Sequence, residues 1–261
     1  MTRMYSSVGC AALVILTASI AAAQTTFPSA QDAAQALLTA VQNDDRRALA
    51  DVLGDPDLIT TGDDSQDETD RRRFVEKYQQ MHRLTREPDG TTVLYVGAEN
   101  WPFPVPLRYT YGRWSFDAAI GRQEIQMRRI GENETKAAQV CQELVEAEKE
   151  YLATMGHYAR QFVSDSGQHN GLYWEDQESL RSPIGPLLAQ AGAAHDPTPF
   201  HGYYYRMVSA KSGAVSFVAY PAEYRSSGVM TFIVGPDEKV YHRDLGPRTK
   251  EIATTTAIPF R

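Results

Sequence analysis

Apolar positions first recur with a helical period at Leu37, Leu38 and Val41, behind a capping serine, Ser29, with Asp32 three residues on. Asp44-Asp45 predicts the start of a second short helix that carries Leu49, Val52 and Leu53 and ends at Gly54. Residues 55–70 are acidic and turn-rich. Phe74, Tyr78 and Met81, at i, i+4 and i+7, predict a third helix over 71–84. The period then shortens to two. Residues 91–96 are β-branched and aromatic and predict a strand. Trp101-Pro102-Phe103-Pro104-Val105-Pro106 cannot form a central strand, because its prolines remove ladder donors. It reads as an extended edge or loop pinned by Trp101 and Phe103. Residues 107–111 and 114–117, joined at Gly112-Arg113, predict a hairpin.

The second half opens on an apolar stripe through residues 121–162 that includes Ala137, Cys141, Leu144, Tyr151 and Met155. Gly131 is a candidate break, which places one long helix over 134–162. The stripe drifts and lacks clean heptads, so a spine packed on a sheet is preferred to a coiled coil. Residues 164–199 are rich in glycine and proline and read as loop, with one short helix over 187–194. Four β-rich runs follow, at 203–210, 214–220, 229–234 and 239–243. The turns Lys211-Ser212-Gly213 and Gly235-Pro236-Asp237-Glu238 separate them. The fold class predicted is α+β. Residues 24–120 supply N-terminal helices with a small antiparallel sheet. Residues 121–261 supply a long helix packed on a C-terminal antiparallel β-meander.

Composition adds compartment. With 261 residues, 42% hydrophobic and 23% charged, the chain belongs with globular proteins and not with disordered ones. Residues 1–23 read as a secretory signal peptide. Arg3 gives the positive region, 8–22 is apolar or small, and Ala21-Ala22-Ala23 fits cleavage after Ala23. The apolar run falls short of the ~20 residues of a comfortable span, and a retained anchor is the alternative. Most of the apolar run follows Cys10, whereas in a lipidated leader the run precedes the cysteine. Losing Arg3 with the leader takes the formal charge from −7 to −8 and leaves Cys141 as the lone thiol, so no internal disulfide is expected. An acidic chain without a basic run is not expected to bind nucleic acid. No later segment is long and apolar enough to span a bilayer, so the mature chain is expected to be periplasmic or secreted, without a transmembrane segment.

Candidate chemistry is sparse. Nucleophile-elbow, zincin, phosphate-loop and paired-cysteine signatures are absent. Asp63-Asp64-Ser65-Gln66-Asp67 resembles a calcium loop but lacks the central glycine and the twelfth-position glutamate, so it reads as a solvated acidic turn. His195 and His201 lie six apart in a loop with nothing to fix their geometry. No metal or cofactor is expected. Cys141, on the apolar stripe, reads as core. The aromatic runs are more suggestive. Strand alternation puts Tyr203 and Tyr205 on one face and Tyr204 on the other. Tyr173, Trp174, Tyr203 and Tyr205, with His201 and Glu223, are the candidate binding residues. The competing reading packs these aromatic rings under the long loop, with their polar atoms hydrogen-bonded. Glu175, Asp176 and Glu223 are candidate acids for a hydrolase, which needs two carboxylates a few ångströms apart.

Several segments taken together carry a resemblance. These are Trp101-Pro102-Phe103-Pro104, Trp114-Ser115-Phe116-Asp117, Arg128-Arg129-Ile130-Gly131-Glu132-Asn133-Glu134, Gly171-Leu172-Tyr173-Trp174, Ser182-Pro183-Ile184-Gly185-Pro186, and Val218-Ala219-Tyr220-Pro221-Ala222-Glu223-Tyr224 with Gly228-Val229-Met230-Thr231-Phe232. Over nearly the whole mature length the chain resembles a family of exported bacterial proteins known as domain of unknown function 2950. The resemblance implies a secreted or periplasmic, mainly Gram-negative setting and no established activity, so it carries over no catalytic residue. At fold level the first half is similar to a small NTF2-like cone. The helix plus meander is similar to a pilin or pseudopilin head, although here the helix lies mid-chain and no hydrophobic stalk leads it. The expectation is a non-catalytic binding or accessory protein of the cell envelope, acting on an envelope component or protein partner. The alternatives are an envelope hydrolase using the acids above, and a structural accessory of a pilus-like or secretion assembly.

Overall fold

The computed structural model describes residues 24–60, 63–175, 180–209 and 214–255. The leader, Cys10, Asp176 and the Lys211-Ser212-Gly213 turn lie outside the described residues. The chain divides into two compact units, Met1–Arg122 and Gln123–Arg261.

In the first unit, α1 (Ala30–Gln42) starts at Ser29, whose hydroxyl accepts the Asp32 N–H at 3.0 Å, and it buries Ala33, Ala34, Leu37, Leu38 and Val41 on one face. α2 (Arg46–Leu53) is capped by Asp45, which accepts the Ala48 N–H at 2.9 Å. α3 (Asp64–Gln80) begins well before the predicted Arg71. Its N-cap is Asp63, whose carboxylate accepts the N–H groups of Ser65 and Gln66. Asp64 and Asp67 stand in the first turn, where negative charge offsets the helix dipole. The acidic run 63–67 is therefore a helix cap, which corrects the reading as a solvated turn. The helix also stops short of the predicted Leu84, because residues from His82 onward leave it to pair in a sheet.

That sheet comprises β1 (His82–Arg86), β2 (Thr92–Val96), β3 (Trp101–Pro102), β4 (Leu107–Thr110) and β5 (Arg113–Phe116). It runs in the order β1-β2-β4-β5, with β3 also on β2, and every pairing is antiparallel. β2 alternates as a half-covered strand should, with Leu94 and Val96 buried and Val93 and Tyr95 half-buried. The proline-rich segment is extended and joins the sheet for two residues, placing Trp101 opposite Val96. The hairpin from Leu107↔Phe116 to Thr110↔Arg113 turns on Tyr111-Gly112, not Gly112-Arg113. Both turn residues have positive φ, 51° and 77°, as a primed two-residue turn requires.

The long helix, α4 (Ala118–Met155), runs 38 residues and passes through Gly131 without a break. Asp117 caps it by accepting the Ile120 N–H at 3.0 Å. It closes at Gly156, whose N–H donates to the Leu152 carbonyl at 2.9 Å, so the predicted extension to Phe162 is not helical. Phe162 instead belongs to β6 (Gln161–Val163), which pairs in parallel with β7 (Gly171–Tyr173) inside the segment read as loop. Gly171 permits that pairing, because a Cβ there would lie 2.8 Å from the Ser164 nitrogen. α5 (Pro186–Ala191) is the short helix expected nearby.

The second unit then builds its meander from β8 (Tyr203–Ser209), β9 (Val215–Pro221), β10 (Met230–Val234) and β11 (Val240–Asp244), in the antiparallel order β11-β10-β9-β8. α6 (Thr249–Thr254) follows, with Ala253 packed against Val218 and Tyr220 on the outer face. The core lies on the inner face, where Cys141, Leu144 and Tyr151 of α4 meet Tyr203, Phe217 and Phe232 of the strands. Burying each large apolar side chain of this kind contributes about 1.5–3 kcal/mol. Polar bonds fix the register of helix on sheet. Glu134 accepts the N–H groups of Val229 at 2.9 Å and Met230 at 3.0 Å. The Asn133 amide donates to the Ser227 carbonyl at 2.8 Å.

Candidate functional site

The candidate aromatic residues separate by burial. Tyr203, Tyr205 and Trp174 are 0%, 3% and 5% exposed and lie in the core of the second unit. Their polar atoms donate to backbone carbonyls: Tyr203 to Met230 at 2.9 Å, Tyr205 to Phe200 at 3.4 Å, and Trp174 to Leu180 at 2.8 Å. Burial pushes the Tyr203 and Tyr205 phenols far above their ordinary pKa. Tyr204 takes the other face, as alternation requires, and packs on Tyr220 with ring centroids 5.8 Å apart. Tyr173 is half-buried beside a hollow of about 530 Å³ that it shares with Arg181, Ile184 and Pro186. His201 is exposed with φ +50°, its ring 4.1 Å from that of Phe200. Glu223 and Glu175 are exposed. Three of the six candidate binding residues thus lie inside the core. Cys141 is buried, and desolvation pushes its thiol up to about 12. Among the described residues no group of three or more His, Cys, Asp and Glu is placed to hold a metal ion.

The first unit holds a different kind of feature. Residues 67, 70, 71, 74 and 77 of α3 recur at helical spacing and present one face to a cleft of about 480 Å³. Leu37 and Val41 of α1 and Val96 of β2 supply an apolar floor. Phe74, Phe103 and Trp101 supply aromatic walls, the ring of Phe103 lying 5.6 Å from Phe74 and 6.4 Å edge-on from Trp101. The prolines explain why this edge is open. Pro102 and Pro104 cannot continue a ladder, so the strand ends after two residues and leaves Trp101 39% exposed. A larger hollow of about 920 Å³ along α4, bordered by Gln142, Glu143, Glu146 and Glu150, has no aromatic lining.

Charge is distributed unevenly around the cleft. The Asp67 carboxylate is buried and accepts from the Thr60 hydroxyl at 2.6 Å. Asp70 accepts from the Gln66 amide at 3.0 Å and lies 3.8 Å from exposed Arg73. Lys77 pairs with Glu99. Arg71 differs from the other cations, because its side chain is only 16% exposed and its Nε is held by Asp44 at 2.8 Å. The arrangement combines an apolar, aromatic interior with a few fixed polar groups, which is the ordinary makeup of a small-molecule site.

Residues 24–258 match the model of a family described as proteins of unknown function, DUF2950. The chain belongs to that family. The DUF2950 match spans the cleft of the first unit as well as the meander of the second. No curated protein and no solved structure matches the chain, so neither the NTF2-like nor the pilin-head likeness has a structural neighbour behind it. Among the described residues of this DUF2950 protein, no helix is long and apolar enough to cross a membrane.

Part of the cleft was visible in the sequence. Trp101 and Phe103 stood out as pinned aromatic residues beside prolines, and Phe74 with Tyr78 marked a helix face. The contribution of Asp67 and Asp70 is hidden when the third helix starts at Arg71, which leaves both acids outside it. A helical wheel begun at the Asp63 cap would have placed both of them on the Phe74 face.

Proposed function

We propose that this chain is an exported, non-catalytic binding protein of the bacterial cell envelope, and that its ligand site is the cleft between α3 and the β2–β3 edge. The observation that carries this reading is the half-open aromatic wall of Trp101, Phe103 and Phe74 around about 480 Å³ of space. Ligand sites commonly measure about 300–1,000 Å³ and combine apolar walls with few polar anchors. The Arg3-led apolar leader and the small residues before Gln24 support export.

The neutral dye N-phenyl-1-naphthylamine, which emits strongly only in apolar surroundings, tests the site. Titration of the purified protein is expected to give saturable emission. Trp101→Ala is expected to weaken binding roughly tenfold, about 1.4 kcal/mol, because the ring contributes an open wall of the cleft. An unchanged affinity in a Trp101→Ala variant with wild-type thermal stability would place the binding elsewhere.

A further inference from the structure

We infer that the cleft takes an amphipathic organic anion, an alkyl or aryl carboxylate, with its apolar body against Trp101 and Phe74 and its head group on Arg71. This rests on the cleft being the binding site proposed above, and it adds the chemistry of the ligand. The acids that border the cleft are already engaged. Asp67 is buried on the Thr60 hydroxyl, and Asp70 is taken up by Gln66 and the neighbouring Arg73. Two of the cations, Arg73 and Lys77, stand in exposed or half-exposed pairs with Asp70 and Glu99, where ion pairing is worth little. Arg71 is the exception. Asp44 fixes its Nε from outside, the side chain is mostly sequestered, and no hydrogen bond engages its terminal nitrogens among the described residues. A guanidinium held in place with its Nη donors unspent is suited to a planar, two-oxygen acceptor, and a carboxylate meets it with two parallel N–H···O bonds. Arg71 and Phe74 are three residues apart on one helix, so the cation and the aromatic wall lie on the same face. A ligand that reaches both must be polar at one end and apolar along its length.

The test is displacement of the neutral dye from the full protein by three probes with the same tail, each below its micellar concentration: dodecanoate, dodecyltrimethylammonium and dodecyl maltoside. Dodecanoate is expected to compete at least tenfold more strongly than the other two. Arg71→Gln is expected to remove that preference while leaving displacement by the maltoside within about twofold, which a general loss of folding would not do. Equal competition by all three probes, or stronger competition by the cation, would overturn the anion assignment while leaving the cleft as a binding site. Dye binding that none of the three displaces would overturn the anion assignment together with the reading on which it rests. The preference among probes is read on the wild-type protein, so the assignment stands or falls even if Arg71→Gln fails to fold.

Discussion

Glu148 is a carboxyl on the core-facing stripe of α4, four residues after Leu144 and three before Tyr151. It is 6% exposed. One carboxyl oxygen accepts the Ala159 N–H at 2.7 Å, while the other is buried with no hydrogen-bond partner. Desolvation raises its pKa, against the opposing pull of the Ala159 N–H and of His157. The folded protein therefore holds this proton at a pH where the unfolded chain, with an ordinary Glu near ~4.3, has released it. Stability from this group is greatest below that ordinary value. It falls as pH rises from there through the raised value, and is constant above. Urea unfolding from about pH 4 to 8 is expected to show a flatter profile for Glu148→Gln than for wild type, with the variant gaining relative stability as pH rises. Parallel profiles would show that the carboxyl is not desolvated. Position 148 falls in line with the stripe, but a stripe read from apolar residues alone passes over its glutamate and leaves it to the solvent faces. Cys141 on the same stripe reads as core from sequence and is core in the structure. The fates of Tyr203 and Tyr205 required tertiary knowledge. Alternation shows that they share a face, but not which face α4 covers.

Elements were legible where the local pattern decides and illegible where a partner decides. α1 and α2 follow their capping residues, and the last hairpin of the meander follows its turn, where the Glu238 N–H donates to the Gly235 carbonyl at 2.9 Å. His82-Arg83-Leu84-Thr85-Arg86 continues the helical period of α3, yet it is a strand because β2 pairs along its whole length. Tertiary pairing outweighs so weak a local preference. The three-residue strands β6 and β7 carry too little sequence to announce themselves, and their parallel pairing depends on Gly171. Gly131 is the opposite case, a local breaker overruled by context. It sits exposed in the interior of α4, and a Cβ added there meets nothing within 4 Å. The helix persists because packing on the meander outweighs the glycine penalty. Gly131→Ala is accordingly expected to stabilise the protein by about 0.5–1 kcal/mol, measured by denaturant unfolding. A loss of stability would mean that the backbone at 131 is not regular helix.

At the scale of the whole molecule, the α+β class was legible because helix-period and strand-period segments are segregated along the chain. The site was only partly so. The aromatic runs that stand out in the sequence lie near chain turns in the second half, where rings such as Tyr203 are consumed by the core. The open aromatic wall lies in the first unit, where two prolines interrupt a strand and leave Trp101 at the surface. An exposed aromatic residue next to a broken ladder is a stronger pointer to a binding surface than an aromatic run within an intact strand. That rule follows from backbone chemistry and not from composition.

Amide hydrogen–deuterium exchange of the protein with and without saturating dodecanoate locates the ligand directly. Added protection is expected over residues 64–80 and 92–104, the segments that frame the cleft, with peptides from the meander unchanged. Protection confined to the second unit, or none over 64–80 and 92–104, would contradict the assignment of the α3 cleft as the binding site.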